Sequence, residues 1–391
     1  MPLGGCPRTA QKPASTQAAT APAPLLPAVT AWTIPLPAKP SAGGVGDEER
    51  LYVPLQSNRL VALSLESGEQ MWESKDEIST AHPPLASGRS LFVATATALL
   101  ELDAATGVTE RRVALTAPPA GPMTRAGDLL LVPQEPDSVE AIRLADGARA
   151  WRVTLDAPAR SVAAVGRDNA AYFSLGDGSL AAVSLSAGKI LWAVRDLGTL
   201  SPAVASGNRV LVGSTDTSSK TLFAFNARSG AESWRLTTVG DVVGAAAAGA
   251  LVYFVSKDNV VKAVSRDSGN QRWLTTMTTR PLLPPRVIDD QILVVGVSPL
   301  LALFDAKTGM AAGTYTLSGD LEGAILEGEP ILAGGRPDGS GHRLILITRD
   351  GRVLTLRPGS DKTQRDPGSE HGDKSSEPER TPAKPDSTID R

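Results

Sequence analysis

Short apolar runs recur along the chain, each bounded by glycine, proline, asparagine, aspartate or serine. Leu51-Tyr52-Val53-Pro54-Leu55 and Leu60-Val61-Ala62-Leu63 form the first pair. Runs matching the first of these return at a spacing of about forty residues: Leu91-Phe92-Val93-Ala94, Leu129-Leu130-Leu131-Val132, Ala171-Tyr172-Phe173-Ser174, Val210-Leu211-Val212-Gly213, Leu251-Val252-Tyr253-Phe254-Val255 and Ile292-Leu293-Val294-Val295. Apolar runs of this length between turn residues predict strands. Several are apolar on consecutive positions, as in Leu130-Leu131-Val132, which predicts strands covered on both faces. Turns such as Ser87-Gly88-Arg89, Ala126-Gly127-Asp128, Ser206-Gly207-Asn208 and Ile288-Asp289-Asp290 precede most of them. A shorter Pro- and Ala-rich strand, such as Ser201-Pro202-Ala203-Val204-Ala205, comes before the turn.

One eleven-residue register fixes the phase of the repeat, and it is clearest from Ala224 to Trp234. Anchored on glycine it falls at Gly68, Gly107, Gly147, Gly188, Gly230, Gly269 and Gly309, in steps of 39, 40, 41, 42, 39 and 40 residues. Four residues after the glycine stands tryptophan in five of the seven copies: Trp72, Trp151, Trp192, Trp234 and Trp273. Six residues before it stands alanine in five: Ala62, Ala141, Ala182, Ala224 and Ala263. A short polar residue begins the turn in most copies, among them Asp103, Asn226, Asp305, Ser64, Ser184 and Ser265. Such side chains accept hydrogen bonds from backbone N–H groups two or three residues on, and glycine closes a turn that requires positive φ. The register reads as strand, tight turn, strand.

Four short strands per forty residues is the blade of a β-propeller. Val29-Thr30-Ala31-Trp32-Thr33-Ile34-Pro35-Leu36 looks like the tryptophan-bearing strand without a preceding turn. At the other end, Leu344-Ile345-Leu346-Ile347-Thr348 and Val353-Leu354-Thr355-Leu356 lack an outer strand. Joining the two gives seven complete units and one composite unit. The expected fold is therefore all-β, an eight-bladed propeller of four-stranded antiparallel blades, closed by an N-terminal strand so that no sheet edge gapes within the ring. Its expected limits are residues 29–358, between a disordered tether (1–28) rich in Ala, Pro, Thr and Gln and a disordered, charged tail (359–391).

The 41% apolar content of the 391 residues suffices for such a ring. A net charge of −3 without a basic, aromatic-studded stripe excludes nucleic acid as the expected partner. The longest apolar runs are strand-length, so no membrane-spanning helix is expected. Cys6 is the single cysteine, which rules out an intramolecular disulfide or a Cys-based zinc cluster. His82, His342 and His371 have no metal-spaced partners. The carboxylates of Asp103 and Asp305 occupy the repeated turn, and Asp289-Asp290 and Asp216-Thr217-Ser218-Ser219 read as hairpin tips before they read as cation sites. No nucleophile elbow, phosphate loop or His-Glu-x-x-His motif is found. We therefore expect no catalytic, cofactor or metal residue. The tryptophans are expected to pack, with a saccharide-stacking platform as the minor alternative.

The Ala-x-Asp-x-x-x-Gly-x-x-x-Trp pattern resembles the tryptophan-docking motif of the pyrroloquinoline-quinone-type propeller repeat, over roughly residues 29 to 357. The resemblance implies that each indole, including Trp32, packs on the neighbouring blade's motif. The second copy carries Glu101 and Arg111 and the seventh Leu303 and Gly313 in place of alanine and tryptophan, so packing is expected to be weakest there. Quinoprotein dehydrogenases of this repeat family are longer, with a calcium site and an adjacent-cysteine disulfide. The chain is closer in length and compactness to the BamB-type lipoproteins of the outer-membrane β-barrel assembly machine. That likeness implies a non-catalytic, monomeric scaffold in the periplasm that contacts envelope proteins such as barrel-assembly components, with the membrane reached only through a lipid anchor. Leu3-Gly4-Gly5-Cys6 resembles a lipobox with Cys6 as the lipidated residue, but no basic segment or apolar run precedes it. Two readings stand: a start assigned too late, or a chance match. A small quinone-dependent oxidoreductase and a saccharide- or peptide-binding propeller are the alternative functions.

Overall fold

Strand follows strand through the described residues, which contain no helix. A computed structural model describes residues 28–216, 219–297, 300–316, 331–333 and 343–358, which lie within one compact unit, residues 1–359. The strands form eight four-stranded antiparallel sheets. Seven are consecutive in sequence: blade 1 (residues 45–73), blade 2 (85–114), blade 3 (124–154), blade 4 (164–194), blade 5 (204–237), blade 6 (242–276) and blade 7 (286–316). Blade 8 joins Ile331–Ala333, Arg343–Ile347 and Arg352–Pro358 to the N-terminal strand Ala28–Pro35. In that composite sheet Trp32 lies opposite Thr355 and Thr33 opposite Leu354, as the orphan strand leads one to expect.

The burial pattern explains why the blades need one another. The second strand of blade 3, Leu129–Gln134, is buried at every position, because both of its faces meet a neighbouring blade. Alternate residues serve opposite seams: Leu51 and Val53 pack toward blade 8, and Tyr52 packs toward blade 2. Among the described residues the buried apolar side chains fall into eight clusters, one at each seam, in place of a single central core. The outer strands differ. Thr109–Ala114 alternates between half-buried and exposed positions, since only one of its faces is covered.

The turn between third and outer strands recurs with little variation. Gly107 N–H donates to Asp103 O at 2.8 Å, and Asp103 N–H donates to Val108 O at 2.9 Å. The Asp103 carboxylate accepts the Thr106 N–H and hydroxyl at 2.8 and 2.7 Å, and Asp305 accepts the Thr308 pair at 2.7 Å each. In all seven copies the pairing of third and outer strands slips directly after the alanine position, at Ala62, Glu101, Ala141, Ala182, Ala224, Ala263 and Leu303. A bulge at this point adds twist and turns the side chain opposite, usually tryptophan, toward the next blade.

Blade 8 departs from the motif at the alanine position as well as in its outer strand. Thr355 takes the place of the alanine opposite Trp32, is 0% exposed, and its hydroxyl has no hydrogen-bond partner among the described residues. A buried donor left unsatisfied costs about 1–3 kcal/mol, whereas an apolar group of the same shape does not. Thr355→Val is therefore expected to raise the thermal unfolding midpoint, with a gain of about 1 kcal/mol measured by calorimetry; an unchanged or lower midpoint would contradict this account.

Candidate functional site: the blade seams and the axial funnel

At six seams the tryptophan of one blade reaches the turn of the next. Trp72 Nε1–H donates to Ala104 O at 3.1 Å, and its ring covers Gly107, where a Cβ would come within 2.5 Å of Cε3. The left-handed φ of +70° at Gly107 and this close approach both require glycine. The same bond runs from Trp32 to Leu65 O (3.1 Å), Trp151 to Leu185 O (2.6 Å), Trp192 to Ala227 O (2.9 Å), Trp234 to Arg266 O (2.9 Å) and Trp273 to Ala306 O (3.0 Å). Each acceptor lies three residues before a turn glycine: Gly68, Gly107, Gly188, Gly230, Gly269 or Gly309. Tyrosines support three of these rings from within the same blade, with centroids 5.7–5.9 Å apart for Tyr52–Trp72, Tyr172–Trp192 and Tyr253–Trp273. Burial, followed by hydrogen bonds to Asp47 and Asp168, pushes the Tyr52 and Tyr172 phenols well above their ordinary pKa. Both remain donors, and they share the carbonyls of Ala104 and Ala227 with the indoles.

The remaining two seams lack tryptophan and differ from each other. Between blades 2 and 3, Arg111 extends over Gly147 and donates to Leu144 O at 2.6 Å, the carbonyl an indole would have used. Its Nε donates to Glu101 at 2.6 Å, so the carboxylate at the alanine position balances the guanidinium. A space of about 10 Å³ remains beside the pair, against Phe92, Val113 and Ile142. That is about the room of one water molecule, space an indole would fill. Between blades 7 and 8, Gly313 presents no side chain. There Tyr315 and Thr30 join the two outer strands through their hydroxyls at 2.7 Å. Sequence reading by residue type marked both copies as exceptions and found neither replacement.

The other candidates occupy structural positions. Thr106 and Thr308 hold the Asp103 and Asp305 carboxyls below the usual carboxylate range through hydrogen bonds. Asp289 caps a tight turn with φ of 51°. Among the described residues no group of three His, Cys, Asp or Glu side chains is placed to hold a metal ion. Trp151 borders a hollow of about 540 Å³ between blades 3 and 4, with Asp128, Arg167 and Ser186 on its walls. Cys6, His342, His371 and Thr217-Ser218 lie outside the described residues.

A larger concavity, about 790 Å³, opens on the ring axis and is lined by blades 1–5, 7 and 8. Its rim is built at one recurring position, two residues before the inner strand. There stand Gly43, Pro83, Pro122, Val162, Pro202 and Pro284. Neighbouring blades touch here: a Cβ at Gly43 would lie 3.5 Å from Pro83, and one at Gly244, within the inner strand of blade 6, would lie 2.7 Å from Pro284. Proline fixes φ and has no N–H to satisfy, which suits a backbone turning into a short strand beside an open hollow. Single bridges such as Pro40 to Leu55, Pro119 to Gln134 and Pro281 to Gly296 tie these connections to the turns outside them. Arg160, Arg286 and Arg349 add cationic side chains. His82 contributes a half-buried ring 3.3 Å from Pro119 O, and burial lowers its pKa. The proline recurrence was visible in the sequence as a Pro- and Ala-rich first strand; its convergence on the axis was not.

The sequence matches the family described as outer membrane protein assembly factor BamB over residues 28–174, 176–286 and 257–364. The chain belongs to the BamB family. No curated protein matches it by sequence. BamB from Moraxella catarrhalis has a similar structure, with a TM-score of 0.63 and 17% identity, covering 84% of this chain and 99% of that one. The C-terminal WD40 domain of Sif2 superposes with a TM-score of 0.67 at 12% identity, covering 85% and 99%. The quinohemoprotein alcohol dehydrogenase ADHIIG from Pseudomonas putida HK5 does so at 0.64 and 11%, covering 84% and 76%. At these identities the structures share a fold with this BamB-family chain, and the fold alone.

The seam geometry yields a paired test. Trp192→Ala removes a ring and a hydrogen bond from one seam and is expected to cost about 3 kcal/mol in thermal unfolding. Arg111→Trp and Glu101→Ala are each expected to lower the midpoint, because each strands the other partner, while the double variant rebuilds the alanine–tryptophan pair and matches or exceeds the natural protein. Additive losses in the double variant would show that Arg111 does not stand in for an indole.

Proposed function

We propose that the chain is a non-catalytic, monomeric propeller scaffold of the cell envelope that assists the assembly of outer-membrane β-barrel proteins through contacts with other proteins. The family match that runs through all eight blades carries this reading. The docked tryptophans and the Arg111–Glu101 pair act as structural fixtures that hold the blades in one arrangement. A rigid ring of this kind presents its turns as a preorganised surface, which lowers the entropy lost on binding. The propeller belongs in the periplasm, held to the outer membrane by a lipidated Cys6.

A quinone-dependent oxidoreductase is the second reading, favoured by the likeness to the Pseudomonas putida dehydrogenase. Against it stand the single cysteine, which cannot form an adjacent-cysteine disulfide, and the lack of a metal-ligating group among the described residues.

Affinity capture of the tagged protein from detergent-solubilised envelope is expected to recover β-barrel assembly components. Their absence, or dye reduction on adding the quinone with calcium, would defeat the scaffold reading. Cys6→Ser is expected to abolish labelling by radioactive palmitate and to move the protein from the membrane to the soluble fraction. Membrane retention without label would reject the anchor.

A further inference from the structure

We propose that the hollow between blades 3 and 4 is a docking site for a tyrosine side chain of a partner protein. The inference rests on the scaffold reading and names one contact through which such a ring holds another chain. Its ground is a comparison of the seams with one another. In blades 1, 4 and 6 a row of paired residues runs from a second-strand tyrosine through the alanine to the tryptophan: Tyr52, Tyr172 and Tyr253 each head one. Blade 3 keeps Ala141 and Trp151 in that row and has Leu131 where the tyrosine stands.

The groups that surround a phenol at the other seams are nonetheless kept. The Tyr52 hydroxyl lies 2.5 Å from the Asp47 carboxylate and 3.1 Å from Ala104 O, and that of Tyr172 lies 2.6 Å from Asp168 and 3.3 Å from Ala227 O. Each carboxylate belongs to the hairpin turn between inner and second strands, and each carbonyl is the one the indole also uses. In blade 3 the hairpin turn is Gly127-Asp128, and the carbonyl that accepts the Trp151 indole is Leu185 O. Asp128, Trp151 and Leu185 all line the hollow of about 540 Å³. The Asp128 carboxylate accepts no hydrogen bond among the described residues, and Arg143 acts on it only through its charge. Leu185 O has a second lone pair to offer.

Other seams without tyrosine are filled from within. Phe92 heads the row of blade 2. Arg343 bonds to Leu65 O beside Trp32, and the Arg266 guanidinium lies against Gly207 in the hairpin turn of blade 5 and donates to Gly249 O at 2.9 Å. Gly127, which corresponds to Gly207, has open space beside it. The walls then select the occupant. Leu129, Val165 and the Trp151 ring are apolar, and the tyrosines elsewhere stand 5.7–5.9 Å from their indoles, centroid to centroid. One anion, Asp128, faces one cation, Arg167, so a neutral donor is favoured over a charged one. The volume lies within the ~300–1,000 Å³ typical of ligand pockets and exceeds one ring, which leaves room for the main chain that carries it.

Ligand-observed saturation-transfer NMR with the intact protein tests this, using N-acetyl-L-tyrosinamide, its phenylalanine and arginine counterparts, and p-cresol. The tyrosine compound is expected to bind saturably, the phenylalanine and arginine compounds about fivefold or more weakly, and p-cresol about threefold more weakly for want of a main chain. Leu131→Tyr is expected to place a phenol in the hollow from within and abolish binding. Asp128→Ala, in an exposed turn, is expected to weaken the tyrosine compound about fivefold and leave the phenylalanine compound unchanged. Circular dichroism and the thermal midpoint confirm that the variants fold. No binding, equal affinity for the tyrosine and phenylalanine compounds, tighter binding of the arginine compound or of p-cresol, or indifference to Asp128→Ala would each overturn the proposal. The scaffold reading fails separately: envelope partners recovered by a protein that ignores the tyrosine compound leave the scaffold without this contact, and saturable binding of that compound without envelope partners does the reverse.

Discussion

A four-stranded sheet that is apolar on both faces cannot be stable alone, and the whole molecule follows from meeting that requirement in a circle. Each blade covers one face of the next, and the contact that sets their spacing is a hydrogen bond from an outer-strand side chain to one carbonyl of the following turn. The direction is the same at seven of the eight seams; between blades 7 and 8 the Tyr315 and Thr30 hydroxyls join the outer strands instead. Blade 8 can give only because the chain's beginning supplies its outer strand, and with it Trp32. Arg343, also on blade 8, bonds to the same Leu65 carbonyl. The closing seam thus holds two donors on one acceptor, where the ring would otherwise depend on a strand recruited from the far end of the chain.

The docking interaction is also what made the fold readable. It needs an indole, a missing Cβ beneath it and a small residue across the bulge, and because each blade offers its glycine to the preceding blade's indole, one residue of each kind recurs in eleven-residue windows such as Ala224 to Trp234. Local requirements of this kind leave a periodic trace. Arg111 escaped because residue-by-residue reading sees one lost tryptophan and one lost alanine, whereas the structure sees a cross-strand pair that changed together. Tyr315 escaped for a different reason: its partner Thr30 is 285 residues away, and nothing in the local sequence marks either.

The funnel was less legible still. Its rim draws one short segment from each of several blades, and those segments become a site only after the ring closes. Pro83, Pro122, Pro202 and Pro284 recur in phase with the repeat, yet among 30 prolines in the chain the phase is easily lost. Arg160, Arg286 and Arg349 do not recur at all, since each occupies a different place in its own blade. What repeats in the sequence builds the frame, and what breaks the repeat at the axis distinguishes this ring from others.

The same division bears on why one architecture serves BamB from Moraxella catarrhalis, a WD40 domain and an alcohol dehydrogenase. Seam chemistry is committed to holding blades together, and its polar groups are consumed in doing so: the indole N–H groups, the tyrosine hydroxyls and the turn carbonyls already have partners. Specificity therefore has to come from what the seams leave unused. Around the axis Pro83, Pro122, Pro202 and Pro284 present no N–H at four of the six rim positions, which leaves more of the surface character there to side chains. The spacing of those side chains is inherited from blades locked by contacts on the opposite end of each third strand. A substitution at the axis can change the surface there without loosening the ring, and one at a docking turn can loosen the ring without touching the axis.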